Sequence, residues 1–122
     1  IGYWIEGSDR DYKTMTDLYD TDNYHWALFI GHLVIEKLLK ALYVKEKSGF
    51  PPQIHDLRRL AEKIGMIIAE EDRIKLDTIT RFNINARYDD YKSAFYNLCT
   101  KSFTSRWIVN IEELRQWIKT KL

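Results

Sequence analysis

Apolar residues recur at steps of three or four along most of this chain, which is the spacing of one face of an α-helix. The pattern predicts a first helix over about 3–20, in which Trp4, Tyr12 and Tyr19 share a face. The polar run 20–23 then supplies residues that suit a turn and a helix cap. The chain therefore begins, by prediction, with one amphipathic helix and a tight connection.

The second predicted helix runs from about Tyr24 to Ser48 and is apolar around most of its circumference. Lys45 and Lys47 suit the negative end of its dipole, and Gly49 is the expected stop. A helix that is apolar on nearly every side must lie between other helices. We therefore expect it at the centre of a bundle.

Two further helices are predicted after the segment Phe50–Gln53, whose two prolines exclude regular helix. Asp56 is expected to cap a short helix that starts at Leu57 and stops at Gly65. A fourth helix is predicted over about 70–86. The side chains of the fourth helix that are expected to face inward are Ile74, Ile79 or Thr78, Phe82 and Ala86.

The segment 92–101 is polar and aromatic, and we interpret it as a connection to the last helix. That last helix is indicated by amphipathic spacing of Phe103, Trp107, Ile111, Leu114 and Ile118. No alternating strand pattern of useful length and no internal repeat is found. The expected fold class is all-α, an antiparallel up-and-down bundle of about five helices that forms a single domain over 1–122.

The composition is globular, with 45% hydrophobic and 30% charged residues, which excludes a predominantly disordered chain. Lysine and arginine number 19 against 18 acidic residues, so any basic site must be local. The single cysteine, Cys99, cannot form an internal disulfide, which fits a reducing, cytoplasmic location. The longest apolar stretch, 26–44, contains charged residues, so no membrane association is expected.

Four polar residues of the second helix, His25, His32, Glu36 and Lys40, are spaced by seven, four and four positions and so form one stripe. Polar groups on a buried helix are costly unless they pair, so the stripe either satisfies itself or faces a cleft or a partner. The alternative is a local ion pair of Glu36 with Lys40 beside solvated histidines. The spacing has no zinc-binding signature, and we expect neither a metal nor a cofactor.

A second polar and aromatic group follows the fourth helix. Arginine offers a planar fork for a phosphate, and tyrosine offers a hydroxyl and a stacking face for a base. The alternative is an ordinary turn in which Arg87 pairs with Asp89 or Asp90. The members of this group are Asn83, Asn85, Arg87, Tyr88, Asp89, Asp90, Tyr91 and Tyr96.

Three short motifs arrive in order along the chain: EKLLKA at 36–41, HDL at 55–57 and ARY at 86–88. With these motifs the chain resembles the HEPN family of nucleotide- and RNA-associated helical domains. The resemblance extends over nearly the whole length. It implies a small helical bundle, usually a homodimer, which often acts beside a small nucleotidyltransferase partner, and many relatives are ribonucleases of toxin–antitoxin systems.

The ribonuclease members of that family carry an arginine followed four to six residues later by a histidine. His55 is the last histidine here, so neither Arg81 nor Arg87 has one at that distance, and Tyr91 is the nearest replacement. The family's upstream element, a glutamate with basic residues after it, is matched by Glu36 and Lys40 but not at its last basic position. Histidine exchanges protons near neutral pH and tyrosine does so poorly, so whether the chain is an enzyme stays open.

The sequence thus predicts a nucleotide- or RNA-binding module that is non-catalytic or weakly catalytic. The candidate binding residues are His32, Glu36, Lys40, Arg87, Tyr88 and Tyr91. One alternative is a metal-independent endoribonuclease that uses a displaced histidine, His32 or His55, or a tyrosine. Another is a module for dimerisation or docking only.

Overall fold

The computed structural model describes residues 2–122, and within that range it contains six α-helices and no strand. The longest connection is the irregular segment 48–56 between the second and third helices. The helices are α1 (Gly2–Asp20), α2 (Tyr24–Lys47), α3 (Leu57–Ile64), α4 (Glu70–Arg87), α5 (Asp89–Leu98) and α6 (Lys101–Lys119). The all-α prediction is confirmed, with one helix more than the sequence pattern indicated.

Helix α2 lies at the centre and packs against α1, α3, α4 and α6, as predicted. Most of its apolar side chains are buried because neighbours surround it, and Leu28, Ile35 and Leu38 are fully inaccessible. Burying such side chains supplies most of the free energy that holds a bundle together. Polar groups in the middle of α2 are consequently placed in the interior, as His32, Glu36 and Lys40 are, whereas those at its C-terminal end stay exposed.

Small residues let α1 approach α2 closely. The Ser8 hydroxyl is buried and donates to the backbone carbonyl of Val34 at 2.8 Å. A Cβ atom at Gly7 would lie 3.3 Å from the side chain of Lys37, whose ammonium pairs with Asp11 at 2.6 Å. One buried hydrogen bond and one ion pair therefore connect α1 and α2 across their contact.

Gly31 marks the place where α1, α2 and α6 meet. A Cβ atom at this position would lie 2.5 Å from Ile111 Cδ1 and 3.2 Å from Met15 Sδ. Both neighbours are fully buried, so neither can move without disturbing the core. The absence of a side chain at Gly31 sets how closely α6 lies against α2.

The ends of the short helix α3 are as predicted. Asp56 Oδ1 accepts a hydrogen bond from the Arg59 backbone at 3.1 Å, and Gly65 adopts the left-handed conformation with φ of 88°. The predicted stop of α2 at Gly49 is wrong by one residue. Ser48 takes the left-handed conformation instead, with φ of 54°, directly after the last helical residue.

The predicted inward face of α4 is correct at Ile79, Phe82 and Ala86 and wrong at Ile74, which is 56% exposed. Leu76 occupies the core instead. Two residues correspond to about 200° around a helix, so Ile74 and Leu76 point to nearly opposite sides. The pattern allowed both choices because apolar residues occur on both sides of the helix.

The segment interpreted as a connection is in fact helix α5, and that prediction is wrong. Phe95 is its one buried residue, and the ring of Phe95 lies 5.6 Å from that of Phe82. A helix that buries a single side chain leaves little periodic signal in its sequence.

Cys99, just after α5, is buried, and burial raises the pKa of its thiol to about 12. None of the helices within residues 2–122 is both long and apolar enough to cross a bilayer.

Candidate functional site

Polar side chains from α2, from the loop before α3 and from the end of α4 meet on one side of the central helix. Each side chain contacts at least one other in the group, directly or through a backbone carbonyl. The structure thereby joins members of the two polar groups that the sequence singled out. We refer to this set as the polar cluster, and its members are His32, Glu36, Lys40, His55, Asn83 and Arg87.

Glu36 is the hub of the polar cluster. One carboxylate oxygen accepts from the Lys40 ammonium at 3.1 Å, and the other accepts from His55 Nδ1–H at 2.9 Å. Glu36 is 5% exposed and Lys40 is 7% exposed, so the ion pair is almost fully removed from water. Such a pair is tolerated only when hydrogen bonds satisfy the carboxylate, which both contacts do here.

His32 is completely buried, which contradicts the expectation of solvated histidines for this member of the stripe. Its Nε2–H donates to the backbone carbonyl of His55 at 2.8 Å, and Asn83 Nδ2 lies 3.5 Å from Nδ1 as a long hydrogen bond. These partners assign the neutral tautomer with the proton on Nε2. Burial lowers the pKa of His32, and the nearby guanidinium of Arg87 lowers it too, against the opposing effects of the His55 backbone carbonyl and Glu36.

His55 is held at two points by residues of α2. His32 binds its backbone carbonyl, and Glu36 binds its ring. The side chain nevertheless stays 65% exposed. Nδ1 directs its proton at the carboxylate, so the other ring nitrogen of His55 does not make this contact with Glu36.

Arg87 lies on the last turn of α4, at the edge of the polar cluster, where its side chain is exposed. Its Nε–H donates to the backbone carbonyl of Asn83 at 3.1 Å. The guanidinium carbon lies 5.9 Å from the ring centre of Phe29 and 5.7 Å from that of Tyr88. One hydrogen bond and two aromatic rings thus orient the planar group.

The alternative in which Arg87 pairs with a carboxylate of the following turn is wrong. Within the described residues no ion pair joins Arg87 to Asp89 or Asp90, and Asp89 instead lies 3.8 Å from Lys92. The charge of Arg87 is therefore not compensated by an acidic side chain of residues 2–122. An oriented and uncompensated guanidinium is suited to an anion.

Asn83 carries an unsatisfied group at the centre of the site. The residue is 5% exposed, and its buried side-chain oxygen has no hydrogen-bond donor among the described residues. A buried acceptor without a donor costs about 1–3 kcal/mol. The sequence placed Asn83 in the second polar group, but the contact of its side chain with His32 depends on helix packing.

Of the other residues that the sequence singled out, Tyr88 lies at the rim of the polar cluster, and Tyr91 and His25 lie apart from it. Tyr88, whose ring borders Arg87, is 55% exposed, and Tyr91 is 52% exposed. Tyr91 lines a small cavity with Asn85 of α4 and Leu98 of α5, and no hydrogen bond of residues 2–122 joins it to the polar cluster. His25, the first residue of the predicted stripe, packs against the ring of Tyr96 at 5.1 Å.

Sequence reasoning did not single out Trp4 as part of this region. The Lys40 ammonium lies 5.3 Å from its ring centre. Trp4 also borders a cavity of about 480 Å³ that is lined mainly by apolar atoms, together with Tyr3, Val44, Gly49, Phe50 and Pro51.

In the part of the chain that the structure describes, no group of three or more histidine, cysteine or acidic side chains is arranged to hold a metal ion.

Comparison with known proteins identifies the family. The sequence model of the HEPN domain matches residues 1–121. This chain belongs to the HEPN domain family. The fold is also similar to the crystal structure of TT1696 from Thermus thermophilus, with a TM-score of 0.83 over 98% of this chain and 95% of that chain, at 17% identity. No curated protein sequence gives a significant match.

As an HEPN domain, the chain has the fold that its three motifs implied, and each motif now has a position. The EKLLKA motif supplies Glu36 and Lys40, the HDL motif supplies His55, and the ARY motif supplies Arg87. These four residues all belong to the polar cluster. The histidine that ribonuclease members place after the arginine has no counterpart, because no histidine follows His55.

Proposed function

We propose that this HEPN domain binds nucleotide or RNA through a phosphate at Arg87, with a base against the ring of Tyr88. The observation that carries the proposal is the state of Arg87: exposed, oriented by Asn83 and two rings, and not paired with a carboxylate of the described residues. Arginine binds phosphate through two parallel N–H donors, and a half-exposed tyrosine ring stacks on a base of any identity.

The buried members of the polar cluster have a supporting role in this proposal. His32, Glu36 and Lys40 are each at most 7% exposed, so they lie beneath the contact surface. His32 and Glu36 hold the loop at His55, and Lys40 pairs with Glu36. The net charge of +1 favours a local contact over a broad nucleic-acid surface. A short single strand or a nucleotide suits such a site better than a duplex.

The test is a titration of the protein with ATP and with a short single-stranded RNA. Arg87→Ala should weaken binding roughly tenfold or more, because a hydrogen bond to a charged group contributes about 1.5–3 kcal/mol. It should also lower the salt dependence of RNA binding by about one counterion. Arg106→Ala, which removes an exposed arginine of α6 and changes the net charge equally, is the matched control.

Two results would contradict this function. The first is wild-type protein that binds neither ATP nor RNA at low salt. The second is an equal loss of affinity in Arg87→Ala and Arg106→Ala, which would reveal only a general charge effect. Circular dichroism of all variants verifies that the helices are intact.

The proposal extends to assembly. Homodimer formation, and action beside a small nucleotidyltransferase in a toxin–antitoxin type of system, are what the family resemblance implied. Helix α5 supports the first of these, since it exposes Tyr91, Tyr96 and Leu98 while it buries only Phe95. A nucleotidyltransferase partner would be sought by copurification with the product of a neighbouring gene.

A further inference from the structure

A cavity of about 400 Å³ lies where the turn between α1 and α2 meets the turn between α5 and α6. Its volume is typical of sites that bind small molecules. It shares no lining residue with the polar cluster, and neither lysine nor arginine lines it. The lining includes one carboxylate, three aromatic rings and one amide, which are Asp22, Tyr24, His25, Tyr96 and Asn97.

The carboxylate of Asp22 is held in place but not neutralised. The Tyr24 hydroxyl donates to Asp22 Oδ1 at 2.9 Å, and no ion pair of residues 2–122 includes Asp22. Asp22 also adopts a left-handed backbone conformation, with φ of 65°, which glycine adopts more readily than any other residue. The turn thus presents an oriented negative charge at a position where the backbone alone favours glycine.

The three rings of the lining are each supported by an aromatic contact. The ring centre of His25 lies 5.1 Å from that of Tyr96 in an edge-on contact, and the ring centre of Tyr24 lies 5.6 Å from that of Tyr19. Tyr96 is 63% exposed, so a ligand can reach its ring from solvent. Aromatic rings attract a cation through the negative charge of their faces.

Free backbone carbonyls add hydrogen-bond acceptors to the lining. Tyr96 and Asn97 belong to the last turn of α5, and no backbone N–H of residues 2–122 donates to the carbonyl of either residue. Such carbonyls carry partial negative charge at the end of a helix. The positive ends of α2 and α6 also lie at these two turns, but the negative ends of α1 and α5 offset them. The side chains and the free carbonyls therefore decide which ligand is favoured.

The positive charge nearest to be considered is that of Lys92 on α5. Burial lowers the pKa of His25, and Lys92 lowers it further, so the His25 ring is neutral at pH 7.5 and does not repel a cation. Lys92 itself does not line the cavity, and its ammonium lies 3.8 Å from the carboxylate of Asp89, which offsets its charge. Asp22 is thus the one charged side chain of the lining.

We propose that this cavity binds a small organic cation, a primary alkylammonium compound. The ammonium group has three N–H donors, which suit the Asp22 carboxylate and the free carbonyls of Tyr96 and Asn97. The alkyl chain lies against the rings of Tyr96 and His25. An anion would meet the charge of Asp22, and a wholly apolar ligand would leave the carboxylate and the carbonyls without donors. The binding of RNA or nucleotide at Arg87 is a separate matter, because the two sites have no residue in common.

The experiment is a titration of the protein with n-butylammonium chloride at pH 7.5 and constant ionic strength, followed by NMR of the histidine rings. The ring signals of His25 should shift and reach saturation, because His25 lines the cavity. The ring of His55 is 65% exposed but lies outside the cavity, so its signals should stay in place. n-Butanol has the same chain without the charge, and it should bind at least about tenfold more weakly, since charged hydrogen bonds are stronger than neutral ones.

Three variants complete the design. Asp22→Asn should weaken the binding of n-butylammonium at least about tenfold. Asparagine tolerates the left-handed conformation and can still accept from the Tyr24 hydroxyl, so the turn is preserved. Asp20→Asn makes the same charge change at an exposed residue that does not line the cavity, and it should bind as the wild type does. Tyr96→Leu removes a ring but keeps an apolar side chain, and it should weaken binding about two- to fivefold.

Three results would overturn the inference. The first is wild-type protein whose His25 signals do not shift to saturation. The second is an equal loss of affinity in Asp22→Asn and Asp20→Asn, which would reveal only a general effect of charge. The third is n-butanol that binds as tightly as n-butylammonium, which would make the cavity an apolar site without selectivity for a cation. None of these results bears on RNA binding at Arg87, so each proposal stands or falls by its own titration.

Discussion

His32 is an ionisable side chain enclosed without exposure to water, and its partners suit only the neutral form. The Nε2–H donates to a carbonyl, while Nδ1 faces the amide of Asn83, which is a donor. Protonation of Nδ1 would place two donors against each other in the interior. That arrangement would cost free energy in the folded state. The stability of the protein therefore depends on pH through His32, although His32 is buried.

This environment predicts that the protein loses stability as pH falls. Burial lowers the pKa of His32 below its ordinary value of 6.5, so below pH 6.5 the unfolded chain binds a proton that the folded chain does not. The contribution of His32 is full above pH 6.5 and declines by up to about 1.4 kcal/mol per pH unit below it. Urea unfolding at pH 7.5, 6.5 and 5.5 measures this decline.

The control for this prediction is His32→Gln, which keeps an amide donor but cannot titrate in this range. His25, whose pKa is lowered chiefly by burial, is present in both proteins, so its effect cancels in the comparison. The wild type should lose more stability than the variant between pH 7.5 and 5.5. Equal pH slopes for the two proteins would show that the pKa of His32 is not depressed.

The sequence allowed the polar cluster to be anticipated only in part. The four-residue spacing of His32, Glu36 and Lys40 predicted one stripe, and the structure does connect these three residues. The spacing could not show that the stripe is buried, nor that His55 supplies its missing hydrogen-bond partners. That information depends on where a loop of irregular conformation lies, which no periodicity encodes.

Among the helices, α2 is positioned most tightly where Gly31 faces α6. A methyl group there would approach Ile111 Cδ1 to 2.5 Å, which is far inside the normal contact distance. Glycine in a helix is otherwise unfavourable by about 1 kcal/mol relative to alanine. The close approach of two helices explains why a residue with low helix propensity occupies the middle of the central helix.

Gly31→Ala should therefore destabilise the protein, by about 1–2 kcal/mol, because overpacking outweighs the gain in helix propensity. Ile111→Val removes the clashing Cδ1 atom, so the double variant should lose less stability than the sum of the two single variants. Thermal and urea unfolding of all three proteins measure the free energies of unfolding. A stabilised Gly31→Ala protein would show that Ile111 and Met15 move aside at no cost.

Gly49→Ala provides the comparison within the same chain. A Cβ atom at Gly49 would meet nothing within 4 Å, and this glycine does not adopt a positive φ. Its substitution should leave stability unchanged or raise it by about 0.4–1 kcal/mol, through the lower entropy of the unfolded chain. The contrast isolates packing at Gly31 from a general effect of replacing glycine.

Long helices were predictable from sequence, whereas α5 and the identity of the residue that ends α2 were not. Periodic burial along α1, α2 and α6 gives a strong pattern, and the predicted bounds of α1 and α2 lie within about one residue of those observed. Helix α5 buries only Phe95, so its sequence resembles a polar loop. The left-handed residue after α2 is Ser48, although glycine adopts this conformation far more readily.

Three exposed large apolar residues lie on the short helix α5, while others are spread over the rest of the described chain. Tyr91, Tyr96 and Leu98 are each more than half exposed on α5, and Tyr88 precedes them at the end of α4. Exposed apolar groups that cluster on one element are typical of contact surfaces. Because α5 also borders the tip of α4 that carries Arg87, a second copy placed there would bring two sites close together.

We accordingly predict a dimer in solution whose interface includes α5. Light scattering after size exclusion should give twice the chain mass of 14.6 kDa, and Leu98→Glu should shift the mass toward the monomer. Ile67→Glu introduces the same charge at a residue that is 94% exposed outside α5, and it should leave the mass unchanged. A monomer at high protein concentration would contradict the dimer, and equal masses for the wild type and Leu98→Glu would contradict this interface.

The rate at which the buried thiol of Cys99 is labelled can report on motion at the junction of α5 and α6. It is the single sulfhydryl of the chain, and in the closed state its burial and high pKa keep it from reacting with disulfide reagents. Modification can then proceed only during excursions that expose the junction, so the labelling rate reports how often they occur. Slower labelling of Cys99 upon addition of RNA would show that RNA bound at the proposed site makes this junction open less often. The measurement needs no engineered probe.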